Sequence, residues 1–415
     1  MHQQDIVMVC QQSWSLPLGT NARSLAREFA RTNRVLYVQM PLDLHALATR
    51  FRRPDVQHHL RVLRGQTESL TQVEPNVWVL MPDCLALSVN KLPAGRLFWW
   101  ANRLNATWLA GRIQQALHQL QFARPVLLQD GIIYQGTELK RLLQPRCFVY
   151  YVRDYMLEVP YFRRHGAWVE QQLLRQADVV ATNSGYLADY ARRENPNSVD
   201  IGQGCVLDLY QAAVQHPEPA DLAAIPHPRI GYTGFLTTVR LDLSLLLRLA
   251  HQRPDWQLVL VGPEDEDFRR SELHYLTNVH FLGNKLPAEL PAYVQHLDAC
   301  INPQLNNATT AGNYPLKIDE YLAMGKPIVA THTRTMELFA AHVYLARHAG
   351  QWPELLEKAL ASPLPQRTAA GIAFARSHTW AASAARLYDA VTDWLTARPT
   401  IPGITALQLA SPHFT

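Results

Sequence analysis

The chain has 415 residues, 48% hydrophobic and 18% charged, which excludes a disordered protein and suits two well-covered domains of ordinary size. Its 39 basic and 35 acidic residues leave a formal charge of +4, too little for a dedicated nucleic-acid binder. Five scattered cysteines, Cys10, Cys84, Cys147, Cys205 and Cys300, form no CxxC pair and no Cys/His cluster, which points to a reducing compartment and away from a zinc site.

The N-terminus MHQQDIVMVC lacks a cationic start followed by a long apolar region, and no run of about 18 apolar residues occurs anywhere. Neither a signal peptide nor a membrane span is expected, so the expected location is cytoplasmic. An apolar run at Ile6–Val9 leads through a loop with Gly19 to a helical pattern near Ser24–Phe29 and a second run at Val35–Val38. The stretch 45–64 then carries Arg50, Arg52, Arg53, Arg61 and Arg64 against Asp55 alone, and Trp99, Trp100 and Trp108 follow. Such a surface suits anionic lipid at the inner face of a membrane, unless the arginines are simply solvated and the tryptophans are core.

Further strands are expected at Val77–Met81, Val126–Gln129, Phe148–Val152 and Val179–Thr182. From Arg229 the opening pattern repeats: RIGYTG reads as strand and glycine turn, LDLSLLLRLAHQ as helix, WQLVLVG as strand. Val279–Leu282, Ala299–Asn302 and Ile328–Thr331 continue the second half. Strands alternating with helices imply parallel sheets with right-handed crossovers. HPEPADLAAIPHPR (216–229) holds four prolines and reads as a linker. The expected division is an acceptor domain over 1–215, a donor domain over 229–379 and a closing helix over 380–398, with Thr379 as its N-cap.

The chemistry concentrates in INPQLNNATTAGNYPLKIDEYLAMGKPIVAT (301–331). Pro315 suits the first turn of a helix, Lys317 and Glu320 lie one turn apart on it, and Gly325 stops it before a buried strand. A cation and a carboxylate thus stand near a helix N-terminus at the carboxyl edge of a parallel sheet, where open α/β sheets bind ligands. Backbone amides of Ala311–Tyr314 suit a diphosphate, Lys317 a phosphate or sugar hydroxyl, and Glu320 two ribose hydroxyls. Spacing alone also allows a plain surface ion pair between Lys317 and Glu320.

The run PLKIDEYLAMGKPIVAT resembles the signature helix of the group 1 nucleotide-sugar glycosyltransferases, in which a Pro-x-Lys-x-x-Glu-Tyr segment precedes a Gly-Lys-Pro strand. IGYTGF (230–235), VLVGPED (259–265) and NVHFLGNKLPAELPAYVQHLDACINP (278–303) resemble that family in order, and ADVVATNSGYLADYA (177–191) does so more loosely. The resemblance implies α/β architecture of the GT-B type: two Rossmann-like doubly wound domains facing across a cleft. It also implies transfer from a nucleoside-diphosphate sugar to a saccharide or lipid-linked acceptor in cell-surface polysaccharide or glycolipid synthesis. Retention at the anomeric carbon is implied, with no cofactor, metal or nucleic acid.

The expected donor-binding set begins with Gly19 and Thr20, by their place after the first strand, with Gly19 as a plain turn residue the alternative. Gly312, Asn313 and Tyr314 belong to it by their amides, together with Lys317, Gly234, Arg240 and Glu320, which the resemblance implies holds the ribose. Two positions depart from the resemblance. Glu320 matches the second glutamate of a Glu-x7-Glu pattern whose first falls on Gly312, and Phe235 stands near an expected arginine. Arg240 is then the candidate grip on the diphosphate, or a solvated helix start. On the acceptor side Asp130, Arg153 and Asp154 follow strands. Asp154 is the candidate general base, with capping a turn or pairing with Arg153 as the alternative. Catalysis is assigned to Asp154, Arg240 and Lys317. An epimerase, a sugar phosphorylase or a non-catalytic partner on the same fold are the rival readings.

Overall fold

The computed structural model describes residues 1–16, 20–361 and 365–397, so Gly19 and the end of the chain beyond Ala397 lie outside the described residues. The first half contains β1 (Asp5–Cys10), β2 (Arg34–Val38), β3 (Leu42–Asp43), β4 (Leu70–Glu74), β5 (Val77–Leu80), β6 (Leu85–Ala86), β7 (Val126–Asp130), β8 (Cys147–Val152), β9 (Val179–Thr182) and β10 (Ser198–Asp200). The second contains β11 (Arg229–Thr233), β12 (Gln257–Val261), β13 (Val279–Gly283), β14 (Ala299–Asn302), β15 (Ile328–Thr331) and β16 (Tyr344–Ala346).

One sheet has the order β10-β9-β8-β7-β1-β2-β5-β4, parallel except for the β4–β5 pair, and the other the all-parallel order β13-β12-β11-β14-β15-β16. A separate small pair joins β3 to β6. Parallel strands are covered on both faces and so read as continuous apolar runs. β1 shows how: Ile6, Met8 and Cys10 enter one core layer, Val7 and Val9 the opposite one. β12 repeats this with Leu258 and Leu260 on one face, Val259 and Val261 on the other. Every strand expected from an apolar run forms. The exposed edge strand β4, LTQVE, and the three-residue β10 and β16 were not expected, because short or polar edges carry little apolar signal.

The chain passes between the sheets twice, and the passages are clipped together where the Cys205 amide donates to the His378 carbonyl at 2.9 Å. At Gly204 a Cβ would lie 2.4 Å from the Trp380 side chain, so this crossing requires glycine. The Thr379 hydroxyl caps the closing helix Trp380–Ala397 by accepting from Ala382 N at 3.1 Å. Trp380, Ala384, Leu387 and Val391, spaced along one stripe, then join the layer that holds Ile6, Met8 and Phe29. The last helix of the chain therefore packs on the first domain.

Candidate active site

A cleft of about 350 Å³ lies between the carboxyl edges of the two sheets. From the first domain it is lined by Asn21, Arg153, Asp154, Asn183 and Gln203, and from the second by residues that include Gly234, Arg240, Asn313, Lys317 and Glu320. An annex of about 440 Å³ shares Arg240, Asn313, Pro315 and Lys317 and extends to Tyr232, Phe235, Asn302 and Gln304.

The helix Leu316–Ala323 sets the floor of the cleft. Its Tyr321 hydroxyl accepts the Thr233 amide at 2.8 Å, which ties the helix to the end of β11. That tie brings Lys317 over the Tyr232 ring at 4.7 Å and beside Gly234, where a Cβ would already touch Lys317 Cε at 3.4 Å. Gly234 has φ of 133°, a conformation suited to glycine. Gly325, with φ of 69°, ends the helix as expected. Lys317 and Glu320 make no ion pair within 4.0 Å among the described residues, which removes the ion-pair alternative. Glu320 accepts the Tyr210 hydroxyl, and burial pushes its carboxyl above the usual range, opposed by Lys317 and that hydrogen bond.

The amides expected to meet a diphosphate are largely committed elsewhere. Ala311 N donates to Asn307 O at 2.9 Å and Asn313 N to Thr310 O at 3.1 Å, both within a separate short turn. The helix starts at Leu316, so the unpaired first-turn amides are those of Leu316 and Lys317. Tyr314 lines the cleft as expected although most of it is buried, and its hydroxyl donates to Asp319 Oδ2 at 2.8 Å. Asp319 also holds His378 Nδ1 at 2.7 Å and the Cys205 thiol at 3.1 Å, a node that joins the helix to both interdomain crossings.

Gly312 does not line the cleft. A Cβ there would sit 2.9 Å from Leu187 and 3.0 Å from Tyr186, and its carbonyl accepts Ser184 Oγ at 3.1 Å. The position is an interdomain contact without room for a carboxylate side chain. Thr20 is likewise absent from the lining, because its hydroxyl accepts Arg23 N at 3.1 Å as the cap of the helix Asn21–Ala30. The neighbouring Asn21 reaches the cleft instead.

Asp130 is fully buried, so it cannot meet an acceptor. Its Oδ1 takes Arg153 Nε at 2.5 Å and orients that guanidinium into the cleft wall. Arg153 Nη1 lies 3.8 Å from Asp154 Oδ2. Asp154 is half-exposed, and loss of solvent raises its carboxyl against the pull of Arg153 and Arg240. With Arg153 matched to Asp130, the cleft faces a ligand with the charges of Arg240 and Lys317 and the carboxylates of Asp154 and Glu320. Arg240 is exposed and makes no ion pair among the described residues.

Asn183 and Gln203 were not foreseen. Gln203 Oε1 accepts Asn183 Nδ2 at 3.0 Å and Asn21 Nδ2 at 3.3 Å, leaving Asn183 Oδ1 without a partner among the described residues. Each follows a strand end, β9 or β10, but lone amides in short loops carry no sequence signal.

Comparison with known proteins agrees with this geometry. Residues 227–361 match the family model of the glycosyl transferases group 1. The chain is 30% identical over 184 residues, 42% of its length, to TuaH of Bacillus subtilis (strain 168), a protein whose name assigns it to teichuronic acid biosynthesis as a glycosyltransferase. The match spans 46% of that relative's length. The structure of Anabaena HepE in complex with UDP aligns over 94% of this chain and 100% of that one, with a TM-score of 0.64 at 16% identity. The trehalose 6-phosphate synthase of Burkholderia multivorans aligns over 96% and 98%, with a TM-score of 0.61 at 12% identity. The fold is the two-domain GT-B arrangement, and residues 227–361 form a group 1 glycosyl transferase domain within it.

Proposed function

We propose that the cleft binds a nucleoside-diphosphate sugar and transfers the sugar to a hydroxyl of a saccharide or lipid-linked acceptor in the synthesis of cell-surface polysaccharide or glycolipid. The observation that carries this reading is the convergence of Arg240, Lys317, the Leu316 and Lys317 amides and Glu320 in one 350 Å³ cleft between sheet edges. Glu320, ionised, accepts two ribose hydroxyls, and the two cations with the helix start receive the diphosphate. The annex at Tyr232 and Asn302 has room for the sugar.

In the transfer, the acceptor oxygen bonds to the anomeric carbon as the bond to the diphosphate oxygen breaks, and the hydroxyl proton passes to that departing oxygen. Charge grows on the leaving diphosphate, where Arg240 and Lys317 already stand, so stabilisation needs no rearrangement at that moment. Asp154 faces them from the other domain and orients the acceptor hydroxyl. The family resemblance implies retention; an inverting course would make Asp154 the base that takes the hydroxyl proton. The protein needs no cofactor or metal in this reading.

HepE carries UDP, UDP with glucose, and UDP-glucose in its solved complexes, which makes uridine the first base to test. The test is incubation with a panel of nucleotide sugars and saccharide acceptors, with released nucleotide measured and product stereochemistry read by NMR. Nucleotide release coupled to a new glycosidic linkage supports the reading. Binding without turnover across the panel contradicts it.

A further inference from the structure

A second cavity, of about 500 Å³, opens on the first domain where β7, β1 and β2 end. One side of it is apolar and suited to hydrocarbon, with Pro41, Leu42, Val56, Ile132, Ile133 and Phe162 in its wall. Its two carboxylates are already engaged. Asp43 is committed as a helix cap: its Oδ1 accepts His45 N at 2.7 Å and Ser88 Oγ at 2.7 Å. Asp55 pairs with Arg53 at 3.0 Å. Arg50, by contrast, makes no ion pair among the described residues, and His59 keeps a buried Nε2 without a partner.

The segment beside the cavity is only partly covered: Ala46 and Leu47 pack against the small cluster of Leu42, Val56 and Leu60. The helix Leu44–Thr49, LHALAT, buries none of its residues, and Leu44 and Phe51 are exposed. Arg52, Arg53, Arg61 and Arg64 are exposed close by in sequence. The cavity also adjoins the donor cleft. Gly131 lines it directly after Asp130, and Asp130 grips Arg153, which lines the donor cleft, so the two sites are neighbours along the sheet edge.

We propose that this cavity takes the hydrocarbon chain of a phosphate-linked acceptor, with Arg50 and His59 meeting the phosphate and the saccharide beyond it running along the sheet edge to Asp154. The inference rests on the nucleotide-sugar reading and selects the lipid-linked acceptor within it. Burial of the chain supplies affinity in proportion to the apolar area removed from water, and the cation fixes the position of the head.

The test titrates the full chain, below the micellar concentration, with geranylgeranyl phosphate, geranylgeraniol and inorganic phosphate, following UDP binding in parallel. Geranylgeranyl phosphate is expected to bind more tightly than either half alone. Ala46→Trp, which fills the cavity, and Arg50→Glu, at its exposed mouth, are each expected to weaken it by about tenfold with UDP affinity unchanged. A protein that binds UDP but not geranylgeranyl phosphate, or binding that both variants retain, overturns the proposal. Absence of UDP binding in the unsubstituted protein would instead overturn the nucleotide-sugar reading, and this inference with it.

Discussion

Glu320 is the residue whose environment says most about its work. Burial raises its carboxyl, while Lys317 and the Tyr210 hydroxyl hold part of its charge in place. Ribose hydroxyls can donate only to the ionised form, so UDP affinity should fall as pH drops through that raised pKa, above the ordinary glutamate value of about 4.3. Calorimetry from pH 5 to 8 should show this fall in the native protein. Glu320→Gln, which cannot ionise, should bind more weakly at pH 8 and lack the acid-side fall; an unchanged profile would assign the titration elsewhere. Gly312 makes the opposite case. Restoring the family carboxylate with Gly312→Glu should not restore a sugar contact, since the Cβ meets Leu187 and Tyr186 at 2.9 and 3.0 Å. Forcing that contact costs about 1–3 kcal/mol, seen as a lower melting temperature. Lys317 and Glu320 were legible because one turn of helix fixes their spacing. Thr20 misled because type and position suggested a donor contact, whereas a cap claims its side chain; Tyr314 does line the cleft, with its hydroxyl held by Asp319.

At the scale of elements, the helix Leu316–Ala323 is held by a node that no local pattern reveals. Asp319 binds Tyr314 five residues before it, His378 59 residues after it and Cys205 114 residues before it. The sequence shows the helix and its stop, but not which distant groups fasten it. Asp319→Ala would leave the buried Tyr314 hydroxyl and the half-buried Cys205 and His378 short of a partner, at about 1–3 kcal/mol for a buried orphaned group. Scanning calorimetry should record the loss, and UDP affinity should weaken with it, because Tyr314 leads directly into the helix that carries Lys317. A full-stability Asp319→Ala protein would show that the node is incidental. The closing helix teaches the same lesson. Its periodic stripe was readable, yet its partner, the layer around Ile6 and Phe29, lies across the whole chain.

For the whole molecule, the cleft exists only because two domains meet: Arg153 and Asp154 come from one, Arg240, Lys317 and Glu320 from the other. Attachment of the first domain to a membrane is an expectation to be tested on its exposed basic and aromatic side chains. Arg50, Arg52, Arg53, Arg61 and Arg64 are all exposed, as are Leu97, Trp100 and Trp108, whereas Trp99 packs inward against Phe98 and Trp168. The two readings of the tryptophans thus divide by residue. No described helix is long and apolar enough to cross a membrane. At about 1 kcal/mol for each basic residue near an anionic surface, a group of this size would suffice to hold a protein there. Co-sedimentation with anionic vesicles should be strong at low salt and lost at about 1 M, where screening is confined to about 3 Å. Binding that is absent at low salt would remove the membrane from this account.

The central claim, that this cleft is a nucleotide-sugar site read by Glu320, is tested most directly by calorimetric titration of UDP into the native protein and into Glu320→Ala at pH 8. The account predicts saturable binding to the native protein and a loss of about 1.5–3 kcal/mol, roughly tenfold to a hundredfold, in a variant that melts normally. Equal affinity in the two proteins would contradict it.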